Sequence, residues 1–466
     1  MQRTAIGELK EHIGKEVTLK GWVSIRRDHG KLIFIDFRDR SGKVQMVILP
    51  NHLEAHTSAQ AVRTEWVLEV KGKVNARPPK MVKKDEQNGD LEIEVLAINV
   101  LNESTTPPFE LQSEGRDINE ERRLQYRYLD LRRARLQRNI SMRHQVSLFI
   151  RNALSQQGFL EIETPLLSKT TPEGSRDYVV PSRLYRGSFY ALPQSPQQYK
   201  QLLMVAGFEK YFQLARCMRD EDTRGDRQPE FTQMDLEMSF VEREDVMAVN
   251  EKLLIDLVTK LYPEKKIQEI PFPRLTYQEA MKQYGNDKPD MRTDKNDPNL
   301  LAFCWVIDFP FFEKTDDGSW TFTHNPFSAP KPEHRAWLHE KKNIGDILTT
   351  QYDVALNGFE IGGGSIRNHQ PEALKKVFEI MSYTEEEIQS DFHHMLEALG
   401  AGAPPHGGIA WGLDRLMAIL HNEPNIREVI AFAKTGEGKD PMMQSPSEIT
   451  PEQLLELGIT VNKEAK

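Results

Sequence analysis

Cysteine is nearly absent from this chain. Only Cys217 and Cys304 occur among 466 residues, which excludes a disulfide scaffold and a cysteine-rich zinc site and favours a reducing, cytoplasmic setting. Long apolar stretches are also lacking. The most apolar run, 300–312, contains Asp308 and is shorter than the roughly 20 residues of a membrane-spanning helix. The first residues have no apolar segment typical of a secretory signal.

An excess of basic residues is missing as well. The chain has 61 Lys and Arg against 70 Asp and Glu, a net charge of −9, which argues against a protein that coats nucleic acid indiscriminately but allows a local basic face. Hydrophobic residues make up 38%, enough for substantial cores, so wholesale disorder is excluded. At roughly 150 residues per domain, the length allows about three domains.

The first hundred residues have the pattern of short strands. Segments rich in β-formers are separated by turns that contain glycine, and they lie at 17–23, 31–37, 43–49, 66–74 and 91–98. Five such strands predict a small closed barrel of the OB-fold type over 1–103. Prolines then break the pattern, and we expect a linker or hinge over 104–139. Its arginine-dense run, 121–138, is interpreted mainly as a solvated helix face.

The pattern changes from about residue 140 onward. A helical period over 141–157 is followed by strands and helices that do not alternate regularly. This order favours an α+β domain with an antiparallel sheet flanked by helices, over 140–466, rather than a doubly wound sheet.

A charged hairpin is the first candidate for chemistry. A strand that ends near Cys217 leads into Arg219 and a polar loop, and a second strand begins at Phe231. The arginine offers a forked donor for a phosphate or carboxylate. The alternative is a surface hairpin with weak salt bridges. The density of arginine and carboxylate at the strand ends favours a functional site.

Asp353 and Glu360 are candidate metal ligands. They lie seven residues apart, so only a bulge or the turn at 357–358 brings them together as oxygen ligands for Mg²⁺. The glycines at 362–364 allow a ligand to approach the backbone closely. No Gly-Lys-Ser/Thr follows them, which excludes a Walker A loop. The alternative for a glycine run alone is a flexible loop.

Two predicted helix starts carry polar residues. Ser195 precedes a helix over 196–206 on which Gln197 and Lys200 share one face; they suit a polar substrate, or form an ordinary exposed turn. Glycines feed a helix over 413–420 with Arg415 in its first turn, which suits a triphosphate but occurs at many strand-to-helix junctions.

In this order, the stretches resemble the three motifs of class II aminoacyl-tRNA synthetases. The first is a helix that ends before 163–165, the second is Arg219-Asp220-Glu221 with its loop and strand, and the third is 412–415. The longer blocks resemble the bacterial-type aspartyl-tRNA synthetases over nearly the whole chain, namely 34–39, 126–132, 171–178, 191–197, 219–231 and 360–367.

The resemblance implies an enzyme that uses ATP and Mg²⁺ to convert L-aspartate to aspartyl-adenylate and then charges tRNA(Asp). The implied catalytic residues are Arg219, Glu221 and Arg415, and the implied metal ligands are Asp353 and Glu360. The implied aspartate-binding residues are Glu173, Ser195, Gln197, Lys200, Arg219, Asp235, His324 and Arg367. The implied ATP-binding residues are Arg219, Asp220, Glu221, Gln228, Glu360, Gly412, Leu413, Asp414 and Arg415.

The physics of the substrate agrees with this assignment. The second carboxylate of aspartate requires a buried cationic pair, which Lys200 and Arg367 supply. Asparagine lacks that charge and would leave both cations unpaired. An asparaginyl or lysyl enzyme, and a non-catalytic tRNA-binding paralogue, remain the alternatives; the intact Arg219, Glu360 and Arg415 argue against the paralogue.

The resemblance also assigns the anticodon to the barrel. The implied contact residues are Arg27, His29, Phe34, Gln45, Arg77 and Glu94, and Phe34 is expected to stack on a base while Ile33 and Ile35 point inward. A histidine at position 29 resembles that of enzymes that charge both tRNA(Asp) and tRNA(Asn), which leaves tRNA(Asn) open as a second partner. The family's large insertion is missing near 292–299, and a homodimer formed through the first motif is expected.

Overall fold

The computed structural model describes residues 2–170 and 174–462. They form two compact units that meet between Ile118 and Asn119, inside the segment for which the sequence predicts a linker. Over the described ranges, no helix combines the length and apolar character needed to cross a membrane.

The first unit is a closed five-stranded barrel with the strand order β1-β2-β3-β5-β4. Its strands are β1 (Glu16–His29), β2 (Leu32–Asp39), β3 (Gly42–Ile48), β4 (Val67–Ala76) and β5 (Leu91–Asn102). Helix α1 (Leu53–Ala61) follows β3 in the chain, and 3-10 turns lie at Ile6–His12 and Pro79–Met81. The inward-facing apolar side chains of every strand are buried in one core. The predicted OB-type barrel is confirmed.

The second unit is built on an eight-stranded sheet of order β12-β14-β17-β18-β19-β10-β9-β6. Its pairings are antiparallel except at the two edges, β12 with β14 and β6 with β9. The strands of this unit are β6 (Leu160–Glu161), β7 (Val179–Pro181), β8 (Phe189–Ala191), β9 (Lys210–Met218), β10 (Glu230–Ser239), β11 (Lys266–Ile267), β12 (Arg274–Thr276), β13 (Leu300–Leu301), β14 (Phe303–Ile307), β15 (Phe312–Lys314), β16 (Trp320–Phe322), β17 (Tyr352–Leu356), β18 (Phe359–Ile366) and β19 (His406–Gly412). The predicted α+β architecture is confirmed.

Eleven helices are described in this unit, namely α2 (Glu120–Gln125), α3 (Arg127–Asp130), α4 (Ala134–Gln156), α5 (Gln197–Val205), α6 (Arg243–Leu261), α7 (Tyr277–Tyr284), α8 (Arg335–Glu340), α9 (Pro371–Ile380), α10 (Glu385–Gly400), α11 (Leu413–Leu420) and α12 (Pro451–Leu457). Among them, α4, α6 and α11 pack on the sheet. Further 3-10 turns lie at Pro332–His334, Ile344–Asp346 and Ile426–Glu428.

The main core of this unit lies between one face of the sheet and helices α4, α6 and α11. Helix α4 contributes Val146, Ile150 and Leu154, which recur every three to four residues and are all 0% exposed. The tryptophans of β14 and β19, Trp305 and Trp411, fill the sheet side. Because this face is filled with apolar side chains, the opposite face is left to carry polar ones.

The arginine-dense run is not a solvated face, contrary to the prediction. Four of its arginines are buried, namely Arg123, Arg127, Arg133 and Arg135. Asp130 accepts from three of them. Glu428 lies about 300 residues later in the chain and pairs with Arg123 at 2.7 Å and Arg135 at 3.0 Å. Matching buried carboxylates therefore stabilise the buried arginines, and this cluster joins the start of the unit to its end.

The cluster makes stability depend on pH. Burial raises the pKa of Glu428, but Arg123 and the neighbouring arginines hold it at about 2. A depressed pKa adds stability above the unfolded value of about 4.5, and that stability is lost as the pH falls towards 2. Glu428→Gln is therefore expected to destabilise the unit by about 3–5 kcal/mol at pH 7, and its deficit should shrink below pH 4.5.

Urea unfolding from pH 7 to pH 3 measures this difference. Glu437→Gln is the control, because Glu437 is exposed and pairs only with the exposed Lys439 among the contacts described; no measurable change is expected there. A Glu428→Gln deficit that stays constant with pH would show that the carboxylate charge is not the cause.

Candidate active site

Strand β10 supplies the polar floor of the site. Its alternate residues Gln233, Asp235 and Glu237 lie on the face opposite the apolar core. The adjacent strand β19 carries a glycine where these side chains need space. A Cβ on Gly408 would collide with the Glu237 carboxylate, so the glycine leaves room for that acid.

This face opens into a cavity of about 330 Å³. Most of the candidate residues from separate parts of the sequence line it, namely Ser195, Gln197, Lys200, Arg219, Glu221, Gln228, Asp235, His324, Asp353, Glu360, Arg367, Gly412, Asp414 and Arg415. The structure therefore brings five separate parts of the sequence together at one place.

At one end of the cavity, two buried cations share one carboxylate. Lys200 and Arg367 are each 2% exposed. The Arg367 guanidinium donates to Glu237 through Nε at 2.8 Å and Nη2 at 3.0 Å. Lys200 Nζ lies 2.6 Å from Asp235 Oδ1 and 3.3 Å from Glu237 Oε2. The pocket thus contains the expected pair of cations, and two carboxylates are already bound to that pair.

Glu237 keeps its charge in this setting. Burial alone raises its pKa, but Arg367 and Lys200 hold that pKa at about 2. Arg367 makes one further bond, from Nη1 to Ser365 Oγ at 2.8 Å. Of its five N–H groups, two remain without a partner among the residues described. These two donors suit a planar carboxylate.

Several buried polar atoms at the cavity have no partner. Within the part of the chain that the structure describes, these are Gln197 Nε2, Gln228 Nε2, Asp235 Oδ2 and Arg415 Nε. Burying an unpaired polar atom costs free energy. Three donors and one carboxylate oxygen are therefore expected to gain partners when a polar ligand that carries both a cation and several acceptors binds.

The other end of the cavity is rich in arginine. The Arg219 guanidinium lies 5.1 Å from the centre of the Phe231 ring, and its Nε faces the Gln194 carbonyl at 3.4 Å. Arg227 pairs with Glu221 at 2.6 Å. Arg415 pairs with Asp226 at 3.1 Å and donates to the Glu360 carbonyl. Three arginines, two from the loop after β9 and one from α11, thus face one cavity, which suits a polyphosphate.

The predicted carboxylate pair is formed by a hairpin. The turn at Asn357–Gly358 joins β17 to β18, and the register shifts next to Val354. A Cβ built on Gly363 would lie 2.6 Å from Asp353 Oδ1 and 3.7 Å from Glu360 Oε1, so both carboxylates reach the same glycine. Burial, and then the Glu360 charge, raise the Asp353 pKa well above its usual range. A divalent cation would offset both effects.

Two of the described candidates do not contribute side chains to the cavity. Leu413 is buried in the main core. Asp220 pairs with Arg176 at 3.8 Å outside the cavity lining. Glu173 lies outside the described residues. Sequence reasoning missed nine polar or aromatic residues here: Gln194, Asp226, Arg227, Phe231, Gln233, Glu237, Asn325, Phe327 and Gln351. The alternation Gln233-x-Asp235-x-Glu237 was a signal that β10 carries a polar face.

A second polar surface lies on the barrel. Phe34 pairs with Arg27 on one side and with Val47 on the other, and Val47 pairs with Glu94. Phe34 is half-buried while Ile33 and Ile35 are buried, so the predicted alternation is confirmed. Gln45 pairs with Asp36 in the same face, His29 is exposed, and Arg77 is buried beside Glu92 at 3.9 Å.

Glu94 is held by two neighbours. His52 Nε2 lies 2.9 Å from Glu94 Oε1, and Asn75 donates to Oε2 at 3.2 Å. The hydrogen bond from His52 is the main cause that lowers the Glu94 pKa. The carboxylate is therefore a fixed acceptor at the edge of this surface.

Family models match both units. The model of class II tRNA synthetases (D, K and N) matches residues 119–436. The model of the OB-fold nucleic acid binding domain matches residues 17–101.

Curated relatives and solved structures agree with these matches. An aspartate–tRNA ligase of Macrococcus caseolyticus is 39% identical over 98% of this chain and 97% of its own, and one of Staphylococcus aureus is 39% identical over 96% and 97%. The alignment with the former spans 583 positions, more than this chain's 466 residues, so the relative has stretches without a counterpart here.

Among solved structures, the asparaginyl-tRNA synthetase of Pyrococcus horikoshii with asparaginyl-adenylate has a TM-score of 0.74 at 22% identity, over 97% of this chain and all of that one. The aspartyl-tRNA synthetase of Entamoeba histolytica has a TM-score of 0.72 at 23% identity, over 93% and 91%. At these identities the likeness establishes the fold.

Proposed function

This chain belongs to the aspartate–tRNA ligases, a family of class II aminoacyl-tRNA synthetases, and from that premise we propose how its own residues act. It activates L-aspartate with ATP to aspartyl-adenylate and pyrophosphate, and then transfers the aspartyl group to the 3′-terminal adenosine of tRNA(Asp). The single observation that carries this proposal is the buried Lys200–Glu237–Arg367 cluster beside an arginine-lined cavity.

Recognition of aspartate rests on that cluster. The side-chain carboxylate of the substrate binds the remaining N–H groups of Arg367 and of Lys200, while Glu237 keeps both cations in place. The substrate ammonium binds the unpartnered Asp235 Oδ2, with Ser195 and Gln197 as further polar partners at the same wall. The substrate ammonium matches Asp235, and Glu237 offsets one of the two cations, so the amide of asparagine leaves the other cation without a counter-charge and is rejected.

Adenylate formation requires positioning and charge stabilisation. The α-carboxylate of aspartate attacks the α-phosphate of ATP, and the bond to the β-phosphate oxygen breaks to release pyrophosphate. Arg219 grips the α-phosphate, where negative charge develops. Arg415 and Arg227 bind the distal phosphates, and their present partners Asp226 and Glu221 release them when the nucleotide arrives. Gln228 offers its free Nε2 to the nucleotide.

Asp353 and Glu360 fit a Mg²⁺ ion. Both are oxygen donors that converge on Gly363, and no cluster of three or more His, Cys, Asp or Glu ligands occurs among the residues described. This matches the habit of Mg²⁺ to take one or two carboxylates and complete its shell with substrate phosphates and water. When bound, the ion would neutralise phosphate charge, and the two carboxylates would hold it.

The barrel binds the anticodon through the row formed by Arg27, Phe34 and Glu94. The aromatic ring supplies a stacking surface, and the two charged groups supply a donor and an acceptor for base edges. His29 extends this face at the end of β1. The second tRNA to be tested as a partner is tRNA(Asn).

Phe34→Ala tests the barrel. Stacking contributes about 1–3 kcal/mol per base, so the KM for tRNA in aminoacylation is expected to rise about 5- to 150-fold. Aspartate-dependent pyrophosphate exchange needs no tRNA in this account and should be unchanged. Leu53→Ala, which truncates an exposed apolar side chain of the same unit, is the control; equal effects of both variants would contradict the anticodon role.

We further propose that the chain forms a cytoplasmic homodimer. The first motif carries exposed leucines at positions 148, 160, 166 and 167, between 43% and 53% exposed, a surface that a second copy would cover. Residues 285–299 alone connect α7 to β13. We propose that the stretch without a counterpart is the family's insertion, absent near 292–299.

Aminoacylation with labelled aspartate tests the function directly. Transcripts of tRNA(Asp) and tRNA(Asn) are charged in parallel, with ATP and Mg²⁺. Charging of tRNA(Asp) is the expected result, and charging of tRNA(Asn) as well would identify a non-discriminating enzyme. Tight tRNA binding without charging of either transcript would instead identify a non-catalytic tRNA-binding paralogue.

A further inference from the structure

Residues 425–436, here called the strap, run along the loop between β9 and β10 that carries Arg219, Arg227 and Gln228. We propose that the strap is a positioning element for this nucleotide loop, defined as residues 219–230, of which the last is the first residue of β10, and that the buried Arg127 holds the strap in shape. This inference rests on the proposed function of the loop in binding ATP.

The strap is bonded to the nucleotide loop along its length. At its start, the Ile426 N–H donates to the Gly225 carbonyl at 3.0 Å. Near its end, Lys434 Nζ pairs with Glu230 and the Thr223 hydroxyl donates to the Gly436 carbonyl. These contacts hold both sides of the loop against one segment.

One of these bonds orients a side chain of the site. The Lys434 backbone N–H donates to Gln228 Oε1 at 2.9 Å. Because this fixes the oxygen of the amide on the strap, the Gln228 Nε2 is left as the group offered to the cavity, and this buried donor has no partner among the described residues. The strap thus orients the Gln228 amide so that its Nε2 group, and not its oxygen, faces the nucleotide.

Arg127 in turn shapes the strap. It is 2% exposed and donates to three backbone carbonyls of the strap: Arg427 at 2.7 Å, Ile430 at 2.8 Å and Ala431 at 2.9 Å. Its remaining described bond is to Asp130 at 2.9 Å. Because most of its donors bind backbone carbonyls, this guanidinium mainly fixes the path of the main chain.

Three variants test the proposal in aspartate-dependent pyrophosphate exchange. Lys434→Met removes the bond to Glu230, and Thr223→Val removes the bond to Gly436. Each should raise the KM for ATP, by about tenfold for the charged contact and about threefold for the hydroxyl, with the KM for aspartate changed less than twofold. Arg127→Lys keeps the charge but loses the fork, and should also raise the KM for ATP alone.

Lys331→Met is the matched control. The side chains of Lys331 and Lys434 are both 24% exposed and both pair with a carboxylate, but Lys331 pairs with Asp308 away from the loop. Its KM for ATP should not change. Combining Arg127→Lys with Lys434→Met should raise the KM for ATP by less than the product of the single effects, because both act through the strap.

The outcomes separate this inference from the proposed function. If the wild-type protein shows no exchange, the proposed function is wrong. If it exchanges but Lys434→Met and Thr223→Val leave the KM for ATP unchanged, or raise both KM values equally, the strap does not position the nucleotide loop. If the two single effects on the KM for ATP multiply in the double variant, the proposed role of Arg127 is wrong. If Arg127→Lys folds less well, Lys434→Met and Thr223→Val still test the role of the strap.

Discussion

Arg367→Leu is expected to abolish aspartate-dependent pyrophosphate exchange, which means a fall in rate of more than about 10³-fold, while ATP still binds. The substitution removes the fork that faces the substrate carboxylate and leaves the buried Glu237 with Lys200 as its described cationic partner. A buried carboxylate that keeps only one of its two cationic partners is unfavourable. The cavity end that binds ATP is built from other arginines and should be unaffected.

The measurement combines exchange kinetics with ATP binding by equilibrium dialysis. Arg243→Leu is the control, since Arg243 is an arginine of the same unit that pairs with Asp308 at 2.7 Å, away from the cavity. It should exchange normally. Exchange within tenfold of wild type in Arg367→Leu, or loss of ATP binding together with exchange, would defeat the assignment of Arg367 to the amino acid.

Arg219→Met should lower kcat for exchange by about 10²- to 10³-fold, with a smaller effect on the KM for aspartate. The arginine faces the position where charge builds on the α-phosphate, so its interaction is stronger in the transition state than in the ground state. Among the residues described, its guanidinium lies over the Phe231 ring and pairs with no carboxylate, which leaves its charge available to the nucleotide.

Saturating kinetics in both substrates distinguish the two effects. Arg274→Met is the control, because that arginine pairs with Glu244 on the surface at the edge of the sheet. A variant of Arg219 that raises the KM for ATP but keeps kcat would show uniform binding instead of transition-state stabilisation.

Local patterns predicted the elements well. Helix α11 has the predicted bounds, 413–420, because the glycines before Leu413 mark a clear start. Helix α4 begins at Ala134, seven residues before the predicted start at 141. Its first turns carry arginines, and the apolar period on which the prediction relied begins only later.

Long-range pairing was beyond the reach of the sequence. Nothing local to Arg123 or Arg135 shows that Glu428 will lie beside them, so a charged run was interpreted as exposed. Glu237 was missed for the same reason: its role depends on Lys200 and Arg367, which reach it from two other elements. The cation pair itself was predictable, because a family resemblance supplied the contacts that spacing alone does not.

The central claim is that the Lys200–Glu237–Arg367 cluster selects a free side-chain carboxylate. Pyrophosphate exchange by the wild-type protein with aspartate, asparagine or lysine as the sole amino acid tests it most directly. We predict exchange with aspartate, and a kcat/KM for asparagine that is at least about 10⁴-fold lower. Comparable exchange with asparagine or lysine would contradict it.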